Sequence, residues 1–247
     1  MTRLEGRVSI LAALEAGKRK FEEILFSGGK YELADLLDAA AARGVPVRKV
    51  EEAELDAHGK SHGGVVAVAG PKPLTTDAEL DALLDGLKAA PFLALFEGAD
   101  DARNLGYLMR TAEALGVHAV LARRRAWDVD ETALSRASSG AYERLPVVLM
   151  DAELKLVARL KKRGLSVIGA VPQSRETFYE LALARPVVLA IGGEKRGLSG
   201  ALREECDVLA CIPTAGGATS LAMTQAGAIV LAEAARQRGL DRSGRRG

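Results

Sequence analysis

The stretch Phe92-Leu-Ala-Leu-Phe96-Glu-Gly-Ala-Asp-Asp-Ala-Arg-Asn104-Leu-Gly106-Tyr-Leu-Met-Arg110-Thr-Ala-Glu-Ala-Leu115 sets the pattern of the fold. A short unbroken apolar run reads as a buried strand, and the residues from Arg103 to Leu115 read as an amphipathic helix. The same alternation continues outward. Strands are predicted at Phe92–Phe96, His118–Leu121, Leu145–Leu149, Ser166–Ala170, Val187–Ile191 and Val208–Ile212. Helices are predicted near Arg103–Leu115, Glu131–Arg136, Asp151–Lys162, Ser199–Glu204 and Ser220–Arg236. Continuous apolar strands alternating with amphipathic helices imply an α/β fold with a parallel sheet covered on both faces.

Upstream lies a smaller α/β unit. It consists of strand Glu23–Phe26, helix Tyr31–Arg43, strand Val45–Val50, a short helix near Glu51–Ala57 and strand Val65–Ala69. The segment Gly70-Pro-Lys-Pro-Leu-Thr-Thr-Asp77 has two prolines and no periodicity, so it reads as a linker, with Thr76 or Asp77 capping the next helix. The expected organisation is a small domain over 1–70, a linker and first helix over 71–90, and a larger domain over 91–247.

The chain has 247 residues, 48% apolar and 27% charged, a balance that excludes a disordered chain. No apolar run is long enough to span a bilayer, and Arg3, Glu5 and Arg7 interrupt the N-terminus where a secretory signal would be apolar. The two cysteines, Cys206 and Cys211, have no histidine nearby, which argues against a disulfide framework or a structural zinc. A cytoplasmic protein is expected. Lys and Arg number 34 against 33 Asp and Glu, so nucleic-acid contact would depend on local clusters: Arg123–Arg125, Lys161–Arg163, or Arg242, Arg245 and Arg246. Solvated surface is the more ordinary reading of each.

In open α/β sheets ligands bind beyond the carboxyl ends of strands. Three such ends are unusual here: the loop running to Asn104 and Arg110, the loop Gly192-Gly-Glu194-Lys-Arg-Gly197-Leu-Ser199, and the loop Ile212-Pro…Ser220-Leu221. Asn104 is the sole asparagine. Glycines let backbone approach a ligand, and three such loops on one sheet favour a binding cleft. Neither a dinucleotide fingerprint nor a P-loop is present, there is no G-x-S-x-G nucleophile motif, and His58, His62 and His118 lack metal-ligand spacing.

Taken in order, these loops resemble the SpoU (TrmH-like) branch of the SPOUT RNA 2′-O-ribose methyltransferases. Asn104-Leu-Gly-Tyr-Leu-Met-Arg110 through Gly116 is similar to the family's first motif, and Arg136–Pro146 to the segment that follows it. Ile191-Gly-Gly-Glu194-Lys-Arg-Gly197-Leu-Ser resembles the second motif, and Ile212-Pro…Ser220-Leu221 the third. Residues 1–70, ending in His62-Gly63-Gly64, resemble the ribosomal-protein-like substrate-binding domain often fused to it. The third motif departs from the family's Ser-Leu-Asn, with Ala222 in the last position, and His62-Gly63-Gly64 replaces His-Gln-Gly.

The resemblance implies a trefoil-knotted C-terminal domain, a homodimer, and methyl transfer from S-adenosyl-L-methionine to a ribose 2′-hydroxyl. The RNA would be ribosomal rather than transfer RNA because of the N-terminal domain, with neither DNA nor membrane as partner. Gly192, Ile212 and Leu221 would contact the cofactor through backbone, and Gly197 would shape the loop. Arg110 is not expected to serve as a base, because a guanidinium does not give up its proton near neutral pH. It is expected to hold a phosphate and stabilise the developing alkoxide. A surface pair with Glu113 is the alternative. Asn104 and Glu194 would orient Arg110 and the first loop, Ser220 would hydrogen-bond locally, and the base stays open. The competing functional reading is an RNA-binding or ribosome-assembly protein that keeps the fold and has lost catalysis through Ala222. A ligand-binding protein unrelated to RNA is the third.

Overall fold

A computed structural model describes residues 1–28, 33–59, 61–99, 101–124, 128–151, 154–216 and 220–239. Arg125, Arg242, Arg245 and Arg246 lie outside the described residues.

The N-terminal part builds β1 (Thr2–Glu5), α1 (Arg7–Ala16), β2 (Phe21–Phe26), α2 (Ala34–Ala42), β3 (Val47–Lys49), α3 (Glu52–Asp56) and β4 (Val65–Ala69). Its sheet runs β1-β4-β2-β3, antiparallel except for the β2/β3 pair. Leu4, Ile24, Phe26, Val65 and Ala67 face the helices α1 and α2 through Ile10, Leu14, Leu36 and Ala40. The sequence reading missed β1 and α1, which give this sheet an edge and its principal cover.

The segment expected to be a linker is not free. Thr75 N–H donates to the Val147 carbonyl at 2.8 Å. Lys72 is 4% exposed, and its ammonium donates to the Leu145 carbonyl at 2.6 Å and to that of Tyr142. Thr76 caps α4 (Asp77–Gly86) in a reciprocal capping box with Glu79.

The larger sheet has seven strands: β5 (Phe92–Glu97), β6 (Ala119–Arg123), β7 (Val147–Met150), β8 (Ser166–Ala170), β9 (Glu176–Thr177), β10 (Val187–Gly192) and β11 (Val208–Cys211). Their order is β7-β6-β5-β10-β8-β11-β9, all pairs parallel. The helices are α5 (Ala102–Ala114), α6 (Glu131–Ala137), α7 (Ala141–Arg144), α8 (Lys155–Lys162), α9 (Gly200–Glu205) and α10 (Met223–Gln237). Because strand side chains alternate, β5 sends Phe92, Ala94 and Phe96 to one face and Leu93 and Leu95 to the other. The first face is covered by α5, α6, α7 and α10, the second by α4, α8 and α9. That double cover is why these strands lack polar alternation.

The apolar residues Leu105, Leu108 and Met109 of α5, with the Ala-rich last helix, would suit a subunit interface. The structure spends them internally: all three are buried in one core cluster with Val230, Leu231 and Ala234 of α10. They therefore supply no argument for a dimer. Gly106 is what lets α5 approach α6, since a Cβ there would lie 2.6 Å from that of Ala137.

Two residues of the basic cluster Lys161–Arg163 are occupied by carboxylates. Lys161 pairs with Asp207 at 3.1 Å, and Arg163 with Asp85 and with Asp81 at 3.6 Å. His118 is a satisfied histidine immediately before β6, its Nδ1 accepting the Phe92 N–H at 3.0 Å. Burial, helped by the Arg238 charge, lowers its pKa and favours that neutral acceptor form.

Candidate active site

A cavity of about 390 Å³ opens beyond the carboxyl ends of β8, β10 and β11. Its walls are Ala170, Val171 and Pro172 after β8, the run Ile191–Glu194 with Arg196–Leu198 after β10, and Ile212 and Thr214 after β11. Ser220, Leu221, Met223 and Ala226, where α10 begins, close the remaining side. Gly192, Gly197, Ile212, Leu221, Glu194 and Ser220, singled out from sequence, thus line one cavity.

The glycines are required by space. A Cβ on Gly192 would fall 2.2 Å from the Gly197 carbonyl carbon and the Leu198 nitrogen. One on Gly193 would fall 2.3 Å from the Gly98 carbonyl oxygen. The loop closes on itself where Gly197 N–H donates to the Gly193 carbonyl at 2.8 Å. Gly197 takes a positive φ of 60°, a conformation that suits glycine. The result is a cradle of bare backbone with an apolar floor of Ile191, Leu198 and Met223 and charged groups, Glu194 and Arg196, at its rim.

Asn104 and Arg110 are not cavity-lining residues. Asp101 is the N-cap of α5, accepting the N–H groups of Arg103 and Asn104, so Asn104 is not a cap. Its amide instead reaches Glu194 Oε1 at 3.4 Å, which ties the start of α5 to the β10 loop. Arg110 is exposed on α5, and among the described residues it makes no hydrogen bond or ion pair. Glu113, the alternative partner, is instead held by Arg144 at 2.5 and 2.7 Å. Neither Asn104 nor Glu194 is hydrogen-bonded to Arg110. Ser220 is exposed at the cavity mouth and makes no hydrogen bond among the described residues. Ala222 is the N-cap of α10 and provides no side-chain cap, a role asparagine performs well.

The reading from sequence missed the β8 contribution, Arg203 and Met223, and gave Arg196 no role within the loop it quoted. The β8 end was legible in principle, because any strand beside β10 presents its carboxyl end to the same crevice. Cys206 offers no nucleophile: burial, with Asp207 beside it, pushes its thiol up to about 11. Among the described residues no cluster of three or more His, Cys, Asp or Glu could hold a metal ion, and no helix is long and apolar enough to cross a membrane.

Comparison with known proteins bears on what this cavity serves. Residues 91–232 match the SpoU rRNA methylase family, and residues 3–75 match the RNA 2′-O ribose methyltransferase substrate-binding family. The chain is 34% identical over 239 residues to the 23S rRNA (guanosine-2′-O-)-methyltransferase RlmB of Ralstonia nicotianae, covering 95% of each chain. It is 31% identical over 245 residues to the protein of that name from Pseudomonas putida, covering 98% of this chain and 99% of the relative. In structure it is similar to the SpoU methyltransferase AviRb from Streptomyces viridochromogenes, with a TM-score of 0.82, 27% identity, and 99% and 91% of the two chains covered. A structure of AviRb in complex with the cofactor AdoMet matches with a TM-score of 0.82 at 26% identity, over 97% of this chain and 91% of that one. A doubly covered parallel sheet with a glycine-lined cavity at its carboxyl edge, matched along nearly its whole length, places this chain in the SpoU rRNA methylase family.

Proposed function

We propose that this protein methylates the 2′-hydroxyl of a guanosine ribose in 23S ribosomal RNA, with S-adenosyl-L-methionine held in the cavity beyond β8, β10 and β11. The observation that carries the proposal is the cavity itself. Its volume lies within the range of small-ligand sites, and the Gly192–Gly193 cradle presents backbone groups where any side chain would obstruct. Bare backbone donors and acceptors suit the neutral adenine edge, and Glu194 and Arg196 offer charges of both signs to the zwitterionic methionine end. When bound, the cofactor supplies an electrophilic methyl group.

The chain's own residues then have to place a ribose hydroxyl and stabilise the charge it develops as its proton leaves. Arg110 takes that role: its guanidinium is exposed on α5, has no carboxylate partner among the described residues, and offers the two-pronged donor geometry that grips a phosphate or an alkoxide. Asn104 and Glu194 lock the start of α5 to the cofactor loop. Ser220 and Leu221 border the cavity where α10 begins. Residues 1–70 would supply RNA affinity, and a homodimer is the assembly implied. Its contact surface lies outside the α5–α10 core, and Tyr107, 51% exposed, is a candidate contact. The position of β10 between β5 and β8, with β11 on the other side of β8, supports a knotted path for the last third of the chain.

The test is transfer of labelled methyl from S-adenosyl-L-methionine to 23S rRNA by the purified protein. Ala222 favours the second reading, a fold-retaining RNA-binding protein, and the two differ in outcome. Methylation by the native chain supports the enzyme. Activity that arises only after Ala222→Asn supports the binding protein.

A further inference from the structure

Glu97 ends β5 at its carboxyl edge, is 7% exposed, and has no part in the transfer scheme above. Its backbone stands opposite Gly192 in the β5/β10 register. Its side chain reaches the other end of the β10 loop. There Oε2 accepts the Ser199 N–H at 2.7 Å and Oε1 accepts the Ser199 hydroxyl at 2.9 Å. Ser199 is in turn the N-cap of α9, its hydroxyl oxygen accepting from Leu202 N–H. The countercharge comes from Arg123 at the end of β6, whose Nε and Nη2 lie 2.8 and 2.7 Å from Glu97 Oε1. Arg123 also donates to the Asp151 carbonyl at 3.1 Å and to Ser199 Oγ at 3.3 Å.

One buried carboxylate therefore fastens both ends of the loop that forms the cavity wall. Gly192 is held through the strand register and Ser199 through two charge-assisted bonds. Between those two points the loop is tied by the Gly197-to-Gly193 bond and by the long Asn104 contact. A loop held in its binding shape before the ligand arrives loses less entropy on binding.

We propose that Glu97, neutralised by Arg123, is a positioning residue for cofactor binding that sets the Gly192–Leu198 loop through Ser199. The proposal rests on reading the cavity as the S-adenosyl-L-methionine site. Two acceptor oxygens are essential to the arrangement. Glutamine offers one, and its amide would confront either the Ser199 N–H or the Arg123 guanidinium. Aspartate is one methylene too short to span the gap.

The experiment measures S-adenosyl-L-methionine affinity by calorimetry on the full chain, with amide hydrogen exchange of the ligand-free protein as an independent readout. Glu97→Gln should weaken binding roughly tenfold to a hundredfold, the scale of losing a charged hydrogen bond, and should accelerate exchange across 193–199. Ser199→Ala, which keeps the backbone N–H on Glu97, should weaken binding a few-fold. The double variant should bind no worse than Glu97→Gln alone, because the two residues share one contact. Leu80→Ala, on the buried face of α4, should lower stability and leave affinity unchanged. If Glu97→Gln does not fold, Ser199→Ala carries the same test. Wild-type affinity and exchange in the Glu97 and Ser199 variants would overturn the proposal, as would an equal affinity loss in Leu80→Ala. Failure of the wild-type chain to bind S-adenosyl-L-methionine overturns the cofactor reading itself, whereas wild-type exchange in Glu97→Gln overturns the clamp alone.

Discussion

Replacing Arg19 tests how the N-terminal part is fixed to the larger sheet. Arg19 follows α1, and its side chain has no solvent exposure. It meets Glu143 of α7 through Nε at 2.7 Å and Nη2 at 3.0 Å, while Nη1 donates to Glu131 at 2.7 Å and to the Gly70 carbonyl at 2.9 Å. Burial alone would lower its pKa, but the hydrogen bonds and charges of Glu143 and Glu131 outweigh it and raise it. Arg19→Met keeps most of the volume and removes the charge. Glu131, whose side chain is 18% exposed, can turn to water. Glu143, at 1%, retains the Ser135 hydroxyl as its one side-chain hydrogen bond among the described residues. Stranding a buried carboxylate in this way costs about 3–5 kcal/mol, a large share of the roughly 5–15 kcal/mol that holds a domain folded. Urea denaturation followed by circular dichroism should show that loss. The double variant Arg19→Met, Glu143→Gln should recover about half of it or more, because no uncompensated charge remains. A loss below about 1 kcal/mol for Arg19→Met, the range of an exposed pair, would refute the reasoning. Deleting residues 1–70 strips the same carboxylate of its partner, so the truncated protein should be less stable than the intact one.

Further expectations follow from single positions. Lys72 is held down to about 7 from an ordinary 10.5, first by burial and then by the Lys18 charge, with Glu143 opposing. The unfolded chain therefore binds the extra proton between those values. Stability should rise with pH across that window by up to about 1.4 kcal/mol per unit, a slope that Lys72→Met should remove; identical slopes in both proteins would contradict the burial argument. Gly192→Ala, whose Cβ would collide with the Gly197–Leu198 backbone, should cost roughly 1–3 kcal/mol of stability and weaken S-adenosyl-L-methionine binding, read by denaturation and calorimetry. Arg110→Ala should slow methyl transfer roughly 10²-fold or more and leave cofactor affinity within a few-fold. Arg110→Lys should not restore the rate, since a point charge does not reproduce a two-pronged grip.

The large sheet was legible because burial on both faces leaves an unmistakable mark: strands such as Val187–Ile191 are apolar at every position. Ser166–Ala170 and Val65–Ala69 coincide with the observed strands to the residue. The strand Thr2–Glu5 carries no such mark, being short, charged at Arg3 and Glu5, and only half buried. Of the helix expected over Asp151–Lys162, residues 152 and 153 lie outside the described residues and α8 begins at Lys155, because Leu154 takes a positive φ of 56°, a backbone state that local propensity does not reveal in a leucine. The cavity loops were readable from their glycines. The contact between Glu97 and Ser199 that fixes them was not, because the two are far apart in sequence and ordinary in type, and the same holds for Arg19 and Glu143, which join the N-terminal part to the larger sheet. A prolyl segment after Ala69 looked like a tether, and only tertiary structure shows Lys72 sunk beneath Tyr142, 4.4 Å from its ring centroid.

Mapping ribose 2′-O-methyl groups along 23S rRNA from cells with and without this gene addresses the catalytic assignment most directly. One guanosine should carry the methyl group only when the gene is present, with the mark restored by the wild-type chain and not by Arg110→Ala. Identical maps in the two strains would contradict it.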